Sequence, residues 1–192
     1  MSNPFVIAAH SVTRADLATA RLGQRFGRMD LTCQLSLAAV EPLAPFFDSF
    51  PRERIAIVLA ARASSLPTDV MYWEGHNEPG GLSPTLFTYT LPSAAIGELA
   101  IRHRLRGPNL CFVSNGHEVL SEATGLISTA EADACVCVFA QVISASLTET
   151  IALPETARAD AVFLQRTGPG LLELGENHRD IESLCANLRA QN

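Results

Sequence analysis

The 192-residue chain contains no lysine. All 14 of its basic residues are arginine. That excludes a Schiff-base lysine, a phosphate-loop lysine and every pyridoxal-phosphate mechanism with an internal lysine. Charge is scarce (18% of residues), and its balance of -6 argues against nucleic acid as the main partner. The opening residues carry neither a basic leader nor a long apolar stretch, so no secretory signal is expected. The longest charge-free apolar run, residues 134–148, is too short to span a bilayer and is interrupted by Gln141, Ser144 and Ser146. Five cysteines make an odd and irregularly spaced set. Cys33, Cys111, Cys135 and Cys137 sit inside apolar segments, which points to packed, reduced thiols in a cytoplasmic protein.

What the chain has is apolar residues, 47% of the total, enough for one sizeable core and too many for a disordered chain. Apolar runs over residues 5–9, 54–61, 110–113, 134–143 and 159–164 predict strands. Helical spacing predicts helices over residues 31–40, 93–106, 117–130 and 173–188. Asp30 is the expected cap of the first, Pro42 and Pro45 its stop, and Gly107-Pro108 the stop of the second. Residues 14–28 read as an arginine-rich surface excursion, and residues 67–84, with Pro67, Gly75, Pro79, Gly80 and Gly81, as a long loop. Strands and helices alternate. The class is therefore α/β with a mostly parallel sheet, its last two strands antiparallel because no helix lies between them.

The segments FGRMDLTCQLSLAAVEPL (26–43), RIAIVLAA (54–61), SPTLFTYTLPSAAIGELAIRHRLRGP (83–108) and ADACVCVFAQVI (132–143) follow one another in an order that resembles the β-ketoacyl synthases. Ser83-Pro84, Phe87, Leu91-Pro92, Gly97 and Gly107-Pro108 stand where that family has its motifs. The likeness covers roughly residues 25 to 145, about the N-terminal half of such an enzyme. It implies a thiolase-like half: a five-stranded mixed, mostly parallel sheet with helices on both faces, with residues 1–170 as the N-terminal-like domain and 171–192 as a C-terminal helix or tail.

The resemblance also implies what is missing. In the family the nucleophilic cysteine follows Gly-Pro by about nine residues, on a strand-to-helix turn. Here that count lands on Gly116 within Ser114-Asn115-Gly116-His117, and Cys111 comes too early, inside the strand. The family's two decarboxylating histidines lie in its other half, beyond the matched residues. No catalytic residue is therefore assigned. Ser114, Asn115, Gly116 and His117 are either a plain permissive turn or a relic of the acyl pocket. A serine–histidine hydrolase lacks an orienting carboxylate that can be named.

Arg102, Arg104 and Arg106 either complement a helix dipole or dock an acidic acyl carrier protein. Cys135 and Cys137 face one side of a strand without further ligands, so neither metal nor cofactor is expected. The loop Trp73 to Glu78 is read first as solvated and second as an acid–base or metal site. In the family the strand before the turn pairs across a two-fold axis, so Leu110, Cys111, Phe112 and Val113 are expected to form the edge of a homodimer or of a heterodimer with a ketosynthase. Three functions follow: a non-catalytic partner or carrier-binding subunit of fatty-acid or polyketide synthesis, a small acyltransferase or thioesterase using another residue, or a fragment kept for assembly.

Overall fold

The computed structural model describes residues 3–20, 22–23, 25–175 and 180–190. Its strands are β1 (Phe5–Thr13), β2 (Ile55–Ala61), β3 (Asn109–Phe112), β4 (Ala134–Ile143), β5 (Thr156–Gln165) and β6 (Leu172–Glu173). Its helices are α1 (Leu31–Val40), α2 (Leu66–Glu74), α3 (Pro84–Phe87), α4 (Ala94–His103), α5 (His117–Ser128), α6 (Thr148–Ile151) and α7 (Ile181–Ala190). The strands form one sheet in the order β3-β2-β4-β5-β1-β6.

Every residue of β2 and β4 is buried. Such unbroken apolar runs suit strands covered on both faces, and side chains that alternate across the sheet supply two separate cores. Leu35, Leu37 and Val40 of α1 and Ile96 and Leu99 of α4 pack with Ile55, Ile57, Val136, Val138 and Phe163 on one face. Val119, Leu120, Ala123 and Ile127 of α5 and Ile181, Leu184 and Cys185 of α7 pack with Val58, Cys135, Cys137, Val162 and Leu164 on the other. Helices on both faces of a mixed sheet are thus present as expected, with β6 as a sixth strand of two residues. The mostly parallel weighting is corrected. Only β2–β3 and β2–β4 run parallel, while β4–β5, β5–β1 and β1–β6 are antiparallel.

Local chemistry explains where the elements start and stop. The Asp30 carboxylate accepts from Cys33 N at 2.9 Å to cap α1, and its other oxygen accepts from Thr68 Oγ1 at 2.9 Å, fastening α2 to that end. α1 ends at Val40 as expected, and the chain continues through Pro42 and Pro45 as a 3-10 segment, Glu41–Ser49. The loop expected over residues 67–84 begins as α2, because Pro67 stands in the first helical turn, where its missing N–H has no partner to lose. Residues 14–28 likewise contain 3-10 turns, Arg14–Ala18 and Phe26–Arg28, and Phe26 is buried.

The end of α4 differs from expectation too. The helix closes at Arg104, which takes a left-handed φ of 56° while Leu105 N donates to Ala100 O. Gly107 serves close packing instead, since a Cβ there would collide with the Ile55 carbonyl. The tail helix begins at Ile181, later than expected, and residues 176–179 of the expected span lie outside the described residues. Among the described residues no helix is long and apolar enough to cross a membrane.

Candidate functional site

β3 ends at Phe112, and α5 starts at His117 after a four-residue turn at the carboxyl end of the parallel strands. The turn is fixed from within. Ser114 Oγ donates to Glu118 Oε2 at 2.6 Å and accepts from Gly116 N at 3.1 Å. The Ser114 hydroxyl helps hold the Glu118 carboxyl below its ordinary pKa. Gly116 sits at φ 82°, and a Cβ built on it would stand 2.9 Å from the Phe139 ring. The position reached by counting from Gly107 therefore disfavours a side chain on two grounds, backbone conformation and space. Asn115 and His117 are exposed.

No thiol elsewhere is primed as a nucleophile. Burial pushes the Cys111 thiol up, does the same to Cys33 and Cys137, and takes Cys185 up to about 12. Cys135 and Cys137 share one face, with their sulfurs 3.9 Å apart, inside the core under α5 and α7. All five cysteines are free. Among the described residues no three His, Cys, Asp or Glu side chains gather as a metal site.

The three arginines lie where α4 runs into β3, at the opposite end of that strand from the turn. Arg102 is engaged through all three of its nitrogens. Its Nε and Nη2 grip Glu41 at 2.7 and 2.8 Å, and Nη1 donates to Leu22 O at 3.0 Å. Arg106 reaches Glu53 at 3.3 Å. Arg104, exposed, is the member of the cluster without a carboxylate among the described residues. The structure thus keeps the arginines and the turn apart and neutralises two of the three charges.

His103, beside them, is 7% exposed and meets the Phe47 ring edge-on at 5.3 Å. Burial, the largest influence, lowers its pKa against the smaller upward pull of Glu41, and Arg102 and Arg52 add to the lowering. An imidazole that binds its proton more weakly when folded favours the native state above the ordinary His value of about 6.5 and loses that advantage as pH falls below it. The Tm is expected to drop between about pH 7.5 and 5.5. His103→Gln should flatten that slope in part, leaving the part due to His10, which burial shifts the same way. A slope unchanged in the variant would contradict this assignment.

The expected dimer edge, Leu110 to Val113, follows the ladder outward from β2. β3 is the terminal strand of the sheet, with Leu110, Cys111 and Phe112 half-buried and Val113 59% exposed. The expected solvated loop from Trp73 to Glu78 is the end of α2 and a 3-10 turn, with Trp73 stacked near His76 at 5.0 Å.

Two features have no counterpart in the sequence reading. One is a polar chain under α7. Arg62 Nη1 donates to Gln141 Oε1 at 2.8 Å and Gln141 Nε2 to Glu182 Oε2 at 3.2 Å. Arg158 then bridges Glu182 at 3.0 Å and the wholly buried Asp160 at 2.7 Å. The signal available was one acidic residue inside the apolar run ADAVFL. The other is a pair of cavities flanking α2. One of about 640 Å³ lies against the start of α1 and the end of β4, and one of about 490 Å³ lies between α2 and α3.

No protein-family model matches the chain, and no curated protein matches it in sequence. Solved structures do resemble it. The ishigamide ketosynthase/chain length factor is matched with a TM-score of 0.69 at 19% identity, over 85% of this chain and 62% of that one. The ketosynthase ApeO in complex with its chain length factor ApeC, from Xenorhabdus doucetiae, gives 0.66 at 15% identity, over 88% and 81%. AntDE:AntF, a type II PKS acyl-carrier protein in complex with its ketosynthase bound to the hexaketide, gives 0.68 at 15%, over 86% and 63%. The chain spans about three-fifths of the length of the first and third of these. Sheet order, helices on both faces and these neighbours together establish that the chain has the thiolase-like fold of ketosynthases and chain length factors.

Proposed function

We propose that the protein is a non-catalytic ketosynthase-like subunit of polyketide or fatty-acid synthesis, acting in the cytoplasm beside a catalytically complete ketosynthase. The observation that carries this reading is Gly116. At the turn where the resemblance puts a nucleophile, a left-handed glycine lies against Phe139, which supports assigning the chemistry to another chain. The raised pKa of Cys111 supports it, since a thiol in a half-buried strand is a poor attacking group. The proposed contact is the β3 edge. An apolar terminal strand with unpaired backbone groups is a template for pairing with another strand. Acyl carrier protein is a further proposed partner, with Arg104 the arginine free to meet it.

The acyltransferase or thioesterase reading has less support. Ser114 is hydrogen-bonded to the Glu118 carboxylate and not to an imidazole, and that bond lowers the carboxyl's pKa, so the base in reach of the hydroxyl is a weak one. The test is co-expression with a catalytically complete ketosynthase from the same organism, followed by sedimentation. A one-to-one complex is expected. A chain that stays monomeric with that ketosynthase, and alone at micromolar concentration, contradicts the proposal.

A further inference from the structure

α2 buries little of itself. Of its nine residues only Pro67 and Thr68 are buried. A helix this short is marginal in water and depends on packing for its stability. Yet it is flanked by the two cavities, of about 640 and 490 Å³. Around it the chain exposes large apolar side chains: Trp73 (68% exposed), Met71, Leu82, Phe87 (59%) and Leu91. Tyr72 and Phe87 stack at 5.4 Å across the cavity between α2 and α3, which fixes the aromatic wall in place.

The charge around this surface has one sign. Between Arg62 and Arg102 the sequence holds no arginine or lysine, while Asp69, Glu74 and Glu78 lie within or beside the exposed segment. The fourth carboxylate of that stretch, Glu98, is turned inward to Arg25 and Tyr89. The 490 Å³ cavity is lined by Asp69 and Glu74 with no basic side chain, and the larger one brings only Arg14, from the turn after β1.

We infer that the α2–α3 face is a docking surface for a different protein, one that inserts apolar side chains between Trp73 and Phe87 and surrounds them with arginine or lysine. Complementary charge selects that occupant over the others. A second copy of this chain would bring the same carboxylates and a net charge of -6 to the contact. An acidic carrier protein and an anionic bilayer are repelled by the same groups. Exposed aromatic side chains beside an open groove are the kind of anchor on which interface energy concentrates. Resting on the proposed pairing, the occupant is the ketosynthase subunit, which meets this chain here in addition to the β3 edge.

The test uses the complex of this chain with its co-expressed ketosynthase. Its Kd is measured at about 50 mM and about 500 mM salt. Trp73→Ser/Phe87→Ser is expected to weaken binding tenfold or more at both concentrations, by the usual size of anchor effects. Glu74→Arg/Glu78→Arg is expected to weaken it mainly at low salt and to reduce its salt dependence. All four side chains are exposed, so circular dichroism should show unchanged folding. If the wild-type chain binds no ketosynthase, the pairing falls and this inference falls with it. If it binds and both double variants bind equally well, the inference alone is overturned. Self-association or vesicle binding that the Trp73/Phe87 variant abolishes, with ketosynthase affinity unchanged, overturns it as well.

Discussion

Gly116→Cys is expected to lose stability without gaining a condensing activity. A side chain at φ 82° costs about 1–2 kcal/mol of backbone strain. Forcing a Cβ to within 2.9 Å of the Phe139 ring adds about 1–3 kcal/mol of overpacking. Together these predict a loss of about 2–5 kcal/mol in a urea titration. Phe139→Ala in the same background should recover part of the steric cost relative to its own single variant, and none of the backbone cost. The introduced thiol is expected to form no acyl adduct. A Gly116→Cys protein as stable as the wild type would mean that the turn accepts a side chain, and neither the backbone angle nor Phe139 would then account for glycine there.

Arg158→Ala should be as damaging, for an electrostatic reason. Asp160 is 0% exposed, and Arg158 Nη2 holds its Oδ1 at 2.7 Å. Its Oδ2 has no hydrogen-bond donor among the described residues, and the facing strand offers Ser11 at the paired position. Removing the guanidinium leaves a carboxylate buried without its partner, a loss of about 3–5 kcal/mol. It also cuts the link to Glu182 that ties α7 to the sheet. Replacing both members with apolar residues, Arg158→Met with Asp160→Leu, should restore most of the stability, since a packed apolar pair avoids desolvation. Thermal melts of the single and double variants check this. A single variant within about 1 kcal/mol of wild type would show that the pair is solvated enough to be dispensable.

Much of the fold is legible in the residues because burial leaves a periodic mark. β4 occupies residues 134–143 as its apolar run indicates, and α1 starts beside the Asp30 cap. The single apolar stripe of α5, Val119, Leu120, Ala123 and Ile127, is the one the sheet buries. What escaped is non-local or competed with a stronger local cue. β1 pairs with β5 some 150 residues later, and nothing within β1 gives the direction of that ladder. Its second half, His10 to Thr13, is polar except for the buried Val12, so the strand runs longer than its apolar run. α2 was hidden by the glycines that follow it. The arginine cluster looks like a patch in sequence, but Glu41 and Glu53 come from distant segments to neutralise Arg102 and Arg106. The emptiness of the turn at Gly116 is legible by counting, whereas the reason it must stay empty, Phe139 beneath it, needs the fold.

The central claim is that this chain supports condensation without performing it. The most direct measurement is a condensation assay with acyl-carrier and malonyl-carrier substrates, paired with intact-mass analysis of this chain. The chain alone should give no product above the protein-free control and no acyl adduct. Its complex with a ketosynthase should give product that disappears entirely when the ketosynthase's own catalytic cysteine is replaced. Product from the isolated chain, product surviving that replacement, or an acyl group found on Cys111 would contradict the account.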